Sequence, residues 1–177
     1  MNDLTLYHTN RQRIINNGTG GLILWASDAS LGDAIQALGP TQSKLLPEPV
    51  NHASCILIMN GIKTARVFNY ESLSNGFQPH FLRRELESYN GRVYWAPLKK
   101  GINQFEIEER MFEFDSTPYG FRELVLFPVK RPDIETDTMI CSESVEVVVT
   151  GNLTGKVHAP GELPDLGYWE QEIIRIL

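Results

Sequence analysis

Cysteine is scarce in this chain: Cys55 and Cys141 are the only two among 177 residues. Two thiols cannot make a disulfide framework or a cysteine-rich zinc site, and neither belongs to a C-x-x-C pair. Positive charge is sparse too. The formal net charge is −6, and Arg83-Arg84 and Lys99-Lys100 are the nearest approach to a basic patch. A duplex-binding protein carries a basic stripe, so nucleic acid is not an expected partner. No stretch approaches the roughly 18 consecutive apolar residues of a membrane span, so no transmembrane segment is expected. The opening MNDLTLYHTNRQRIINNGTGG has no apolar core of signal-peptide length. The expected location is therefore the cytoplasm, with a phage-encoded protein or export without a classical signal as variants. The glycine-rich 18–21 segment lacks the Gly-Lys-Ser/Thr of a nucleotide-binding loop. His8, His80 and His158 are scattered along the chain and argue for neither metal nor cofactor.

What remains is ordinary globular material. Hydrophobic residues make up 42% and charged residues 21%, which excludes a disordered chain. The length suits one domain, or one domain with an extension, and is sufficient for a core without disulfides. Residues 1–17 read as a short helix or an arm, with Tyr7, Ile14 and Ile15 as the side chains able to dock; residues 18–177 read as the domain.

Residues 50–72, VNHASCILIMNGIKTARVFNYES, organise that domain. Two β-rich runs flank Asn60-Gly61, a turn signal for an antiparallel hairpin. With the turn centred there, His52 lies opposite Asn69 and diagonal to Glu71. With the centre one residue later, His52 faces Glu71. Cross-strand neighbours sit about 5 Å apart, so either register gives the imidazole a polar partner. A histidine so held is half of a general-base arrangement. Cys55 lies three residues beyond His52 and points to the other face, which reads as core.

LILWAS and RVYWAPL read as further strands. Apolar residues at 31, 34, 35 and 38 predict a helix over 31–38, with Asp28 or Ser30 as its cap. Phe81, Leu82 and Leu86 suggest a brief helix ended before Gly91. Residues 102–114 predict a longer one, with Phe105, Glu109 and Phe112 on one stripe. FRELVLFPV is helix or strand, 132–138 is a polar loop, and the last eleven residues are an amphipathic ending. The valines of 141–149 favour strand, but Cys141, Val145, Val148 and Val149 share a helical face, and helix is the reading adopted.

A helix opening at Cys141 gives that thiol unpaired backbone N–H groups, which stabilise a thiolate and can hold an oxyanion. The competing reading is an inert core cysteine. Glu143 reads as an exposed or first-turn helix charge, and Tyr119 as cleft-lining or packing.

The order of landmarks resembles a known family. GGLILWA, NHASCILIM, NYES, RVYWAPL and Ile-Cys-Ser-Glu-Ser-Val, with TPYGF and HAPGEL, are similar to the circularly permuted papain-like cysteine hydrolases. These are the YiiX-like relatives of NlpC-type cell-wall peptidases. The resemblance implies an α+β papain-like fold, a small antiparallel sheet or open barrel packed against helices. It implies Cys141 as nucleophile, His52 as its base and Glu71 as the orienting group, with Asn69 the papain-style alternative. The implied activity is a cysteine peptidase or amidase, cleaving a peptide or a peptidoglycan stem through an acyl-enzyme. A lipid ester or thioester acyl substrate is the alternative chemistry, and an inactive binding module of the same fold the alternative class. The chain departs from the family pattern at Gly21, where an Asp is usual, at Ser54 in place of Gly, and at Ser144 in place of Leu.

Overall fold

The computed structural model describes residues 2–27, 42–120, 139–152 and 158–177. The expected helix over 31–38, the FRELVLFPV run and the 132–138 loop lie outside the described residues. The architecture is α+β, built on one open antiparallel sheet of six strands in the order β4-β3-β2-β1-β5-β6. Strand β1 (Leu22–Ser27) is central, between β2 (His52–Asn60) and β5 (Gly91–Ala96). Both faces of the sheet are covered, which explains why LILWAS is apolar throughout instead of alternating. Leu22, Leu24 and Ala26 point into one core, and Ile23 and Trp25 into the other.

The first core receives the helix that opens at Cys141, labelled α4 below. The second receives the N-terminal helix α1 (Thr5–Asn17), through buried Tyr7 and Ile14 packed with Ile23, Trp25 and Trp95. Residues 1–17 are thus a helix docked on the sheet, with only partial cover of Ile15. Asn17 fixes its end, donating from Nδ2 to the Leu98 carbonyl and accepting from the Leu98 N–H.

The hairpin is present, but its turn is longer than Asn60-Gly61 implies. Asn60 pairs with Ala65, leaving a four-residue loop over 61–64 before β3 (Ala65–Leu73). Its centre falls between Ile62 and Lys63, so neither register read from the Asn-Gly signal holds. Asn69 stands opposite Ile56, not His52.

Strand β4 (Gly76–Phe81) pairs with β3 at the sheet edge and leads into helix α2 (Leu82–Ser88). The long helix appears as α3 (Gln104–Glu113), capped by the Asn103 side chain accepting from the Phe105 N–H. Its buried face is Ile107 and Met111; Phe105 and Phe112 of the expected stripe are exposed. The partner decides this. Arg110, on that inward side, donates to the carbonyls of Val148 and Val149 at the end of α4, Cys141–Thr150. A 3-10 turn (Pro160–Leu166) follows, and the expected amphipathic ending is instead a two-residue edge strand, β6 (Ile174–Arg175), on β5. Among the described residues no helix is long and apolar enough to cross a membrane.

Candidate active site

The site lies where two strands part. The β2–β3 ladder runs from Asn60–Ala65 to Cys55–Tyr70. Beyond it, β2 continues paired to β1 through Ser54, Ala53 and His52, while β3 continues paired to β4 through Glu71, Ser72 and Leu73. The N-terminus of α4 enters this fork. Ser72 Oγ donates to the Met139 carbonyl at 2.8 Å and anchors the approach to the helix. The Cys141 sulfur then accepts from the backbone N–H groups of Ala53 and Ser142. Every residue of α4 from Cys141 to Val149 is buried, so its first turn is pinned in place.

His52 sits at the tip of one prong and Glu71 on the other. His52 Nε2 is 2.8 Å from Glu71 Oε2, and the Glu71 side chain is 4% exposed. The imidazole also hydrogen-bonds the Cys141 thiol. The structure thus brings together Cys141, His52 and Glu71. Asn69 is elsewhere, fully buried beside Ile56 and His80 with no hydrogen bond to its side chain.

The electrostatics follow from these contacts. Burial disfavours charge on both partners. For His52, the thiolate and the Glu71 carboxylate outweigh burial and push its pKa well above the ordinary 6.5. For Cys141, burial is likewise outweighed by the imidazolium and by the two backbone N–H donors, so its pKa falls below 9.0. The other thiol behaves oppositely. Cys55 is buried on the sheet without a charged partner, and desolvation drives its pKa up.

Around this pair, Glu143 is neither exposed nor free. It is 4% exposed and its Oε2 accepts from the Ile140 N–H, closing the first turn of α4. Tyr119 is half-buried and paired through its backbone with Met139. Its phenol is held above its usual range by burial and by the charges of Cys141 and Glu143. The Trp25 ring lies 6.4 Å from the His52 ring. Its Nε1 donates to Ser54 Oγ at 2.8 Å, which gives the hydroxyl at that position a partner a glycine would not supply. Ser144 Oγ donates to the Cys141 carbonyl inside the helix. Gly21 is dictated by packing: a Cβ there would stand 2.6 Å from Trp95 Nε1, so a side chain of any kind collides with a buried indole.

Sequence reasoning missed His80 and Glu85. His80 looked isolated, yet pairing of β4 with β3 sets it opposite Asn69 and beside Glu71, while α2 brings up Glu85. Glu85 has a raised pKa, from burial first and from the Glu71 charge second. The signal was weak because β4 itself was hard to read.

No protein-family model matches the chain, and no curated protein matches it significantly.

The ion pair has a stability signature. Unfolded, His52 titrates near 6.5 and Cys141 near 9.0. Folding raises the first, giving stability that is present below 6.5 and declines as pH rises towards the folded value of about 10. It lowers the second, giving stability that is present above 9.0 and declines as pH falls. Below 9.0, and above both 6.5 and the lowered folded value of Cys141, the proton gained by His52 balances the one lost by Cys141, and the two slopes cancel. The stability difference between wild type and the Cys141→Ala/His52→Gln double variant, from urea melts, is therefore expected to be flat across that window and to shrink on both sides. A steady slope through the window would show that the pair is not ionised.

Proposed function

We propose that this protein is a thiol hydrolase of papain-like type that cleaves an amide bond through an acyl-enzyme on Cys141. The observation that carries this reading is the fork: one imidazole bonds a thiol at a buried helix N-terminus and a carboxylate on the opposite prong. Nothing in core packing requires those three groups to converge, and burying them costs stability unless they are paired. The order His52, Glu71, Cys141 and the single open sheet agree with the permuted arrangement that the motifs resemble.

In the mechanism, Glu71 holds the His52 ring through Nε2 and favours its charged form. The Cys141 thiolate attacks the substrate carbonyl carbon, and the carbonyl electrons move to oxygen. Backbone N–H groups in the first turn of α4 face the developing oxyanion. His52 then gives its proton to the departing amine as the carbon–nitrogen bond breaks. Water attacks the resulting thioester, His52 takes a proton from it, and the acid leaves as the carbon–sulfur bond breaks, restoring the thiolate beside the imidazolium. An amine leaves poorly without that proton, and a histidine held charged at neutral pH supplies it. This favours an amide, such as a peptide or peptidoglycan stem, over a lipid ester or thioester.

The test uses an activated acyl probe, p-nitrophenyl acetate, read by intact and peptide mass. Wild type is expected to give a transient acetyl adduct on Cys141 that decays by hydrolysis, with none on Cys55. In His52→Ala the adduct forms slowly and persists. A wild type that acquires no adduct at Cys141 would leave a binding module of the same fold as the better reading.

A further inference from the structure

Directly behind the proposed base lies a group of buried polar atoms that the acyl-transfer chemistry does not use. Glu71 spends Oε2 on His52, but its Oε1 is buried without a hydrogen-bond partner. His80 Nε2 is buried and unpartnered as well, and so are both terminal atoms of Asn69. Orphaned buried polar atoms are rare, because each costs its full desolvation energy. Four of them here belong to three neighbouring residues. Asn69 and Glu71 are two apart on β3 and share a face, and His80 on β4 stands directly opposite Asn69. The α2 residue Glu85 closes the group: its Oε1 is 3.9 Å from His80 Nδ1. One donor atom each from Glu71, His80 and Glu85 lies within 4.8 Å of the others.

We propose that Glu71, His80 and Glu85 bind a first-row divalent metal ion of the zinc type, with the Asn69 amide oxygen completing the set. Two carboxylates that repel one another become compatible once a dication stands between them. An imidazole among the donors favours zinc over magnesium or calcium, which take oxygen ligands. The three donor atoms lie within 4.8 Å of one another, too far apart for mutual hydrogen bonds and somewhat wider than the roughly 3.4 Å edges of a zinc tetrahedron. Small side-chain adjustments bring them to the usual zinc distances of about 2.0–2.2 Å.

Zinc can also bind a free thiolate, so the test begins with Cys141→Ala. Calorimetric titration of this variant with Zn²⁺ is expected to show one saturable site. Adding Glu85→Gln, a near-isosteric change on a half-exposed residue, or His80→Ala is expected to weaken binding at least about tenfold. Should His80→Ala fail to fold, judged by circular dichroism, Glu85→Gln carries the comparison alone. Absence of a saturable site in Cys141→Ala, or affinity indifferent to both substitutions, would overturn the site. These titrations do not depend on Cys141 being active.

Discussion

His52→Ala is expected to lower turnover of an activated acyl substrate by about a thousandfold at neutral pH, within the range found for loss of a general acid–base group. Two losses combine. Without the imidazolium, burial is no longer offset and the Cys141 pKa returns upward, so only a small part of the thiol is ionised near neutrality. The acyl-enzyme also loses the group that takes a proton from the attacking water. Glu71→Gln separates orientation from charge. The amide oxygen still accepts from His52 Nε2, but the negative charge is gone, so a smaller loss of about tenfold to a hundredfold is expected. Its signature is a fall in the upper pH limit of activity, because His52 loses one of the charges that keep it protonated. A His52→Ala variant within a few-fold of wild type would mean that Cys141 does not rely on this pair.

Gly91→Ala is expected to cost at least about 3 kcal/mol of stability. Gly91 opens β5 opposite Ser27, at the end of the central strand. Its φ is +152°, and a Cβ built there falls 2.1 Å from the Ala26 carbonyl oxygen. That oxygen belongs to the sheet backbone and cannot swing aside like the end of a flexible side chain. Relief requires β5 to move off β1, which opens the pairing over Trp25 and Val93 and the core beneath it. In a chain of this size that loss corresponds to roughly 6–12 °C in melting temperature. A melting point within about 2 °C of wild type would show that the strand end adapts freely. Gly101 is a matched control. It also has a positive φ, +89°, but a Cβ there meets nothing within 4 Å, so only the backbone strain remains.

The parts of the fold that were legible share one property: their signal is local and strong. LILWAS, the hairpin strands and RVYWAPL are β-rich runs between turn residues, and α4 shows a helical face despite its valines. The hidden parts depend on partners. In β4, GFQPHF carries Pro79, which argues against a strand except at a sheet edge, and an edge is where it lies. The two-residue β6 is made by the strand it joins, since IIRIL has no periodicity long enough to call its state. In α3 the sequence offers two apolar stripes, and the choice between Phe105–Phe112 and Ile107–Met111 is made by where Arg110 meets the end of α4.

The site followed the same division. Alternation along strands was enough to put His52 and Glu71 within reach, and the helix start at Cys141 could be read from its apolar face. Hairpin register could not be read, because Asn60-Gly61 is a strong turn signal that the chain does not use as a two-residue turn. The fork between β2 and β3 was invisible for a different reason. It exists because residues 139–141 insert there, some 70 residues downstream of Glu71. That separation also hid the grouping of His80 and Glu85 with Glu71, which depends on an edge strand and a short helix meeting above β3.

The central claim is that Cys141 and His52 form an ionised pair, and the most direct measurement is the pH dependence of alkylation at each cysteine. Wild type and His52→Ala are treated with iodoacetamide from pH 5.5 to 9.5 and the labelled peptides are quantified by mass spectrometry. An unperturbed thiol with a pKa near 8.5 loses about fiftyfold in rate between pH 8.5 and 6.5. Cys141 in the wild type is expected to keep most of its rate over that interval, to fall like an ordinary or buried thiol in His52→Ala, and to outpace Cys55 throughout. If Cys141 in the wild type follows the unperturbed curve, or if His52→Ala leaves its profile unchanged, the thiolate–imidazolium pair does not exist.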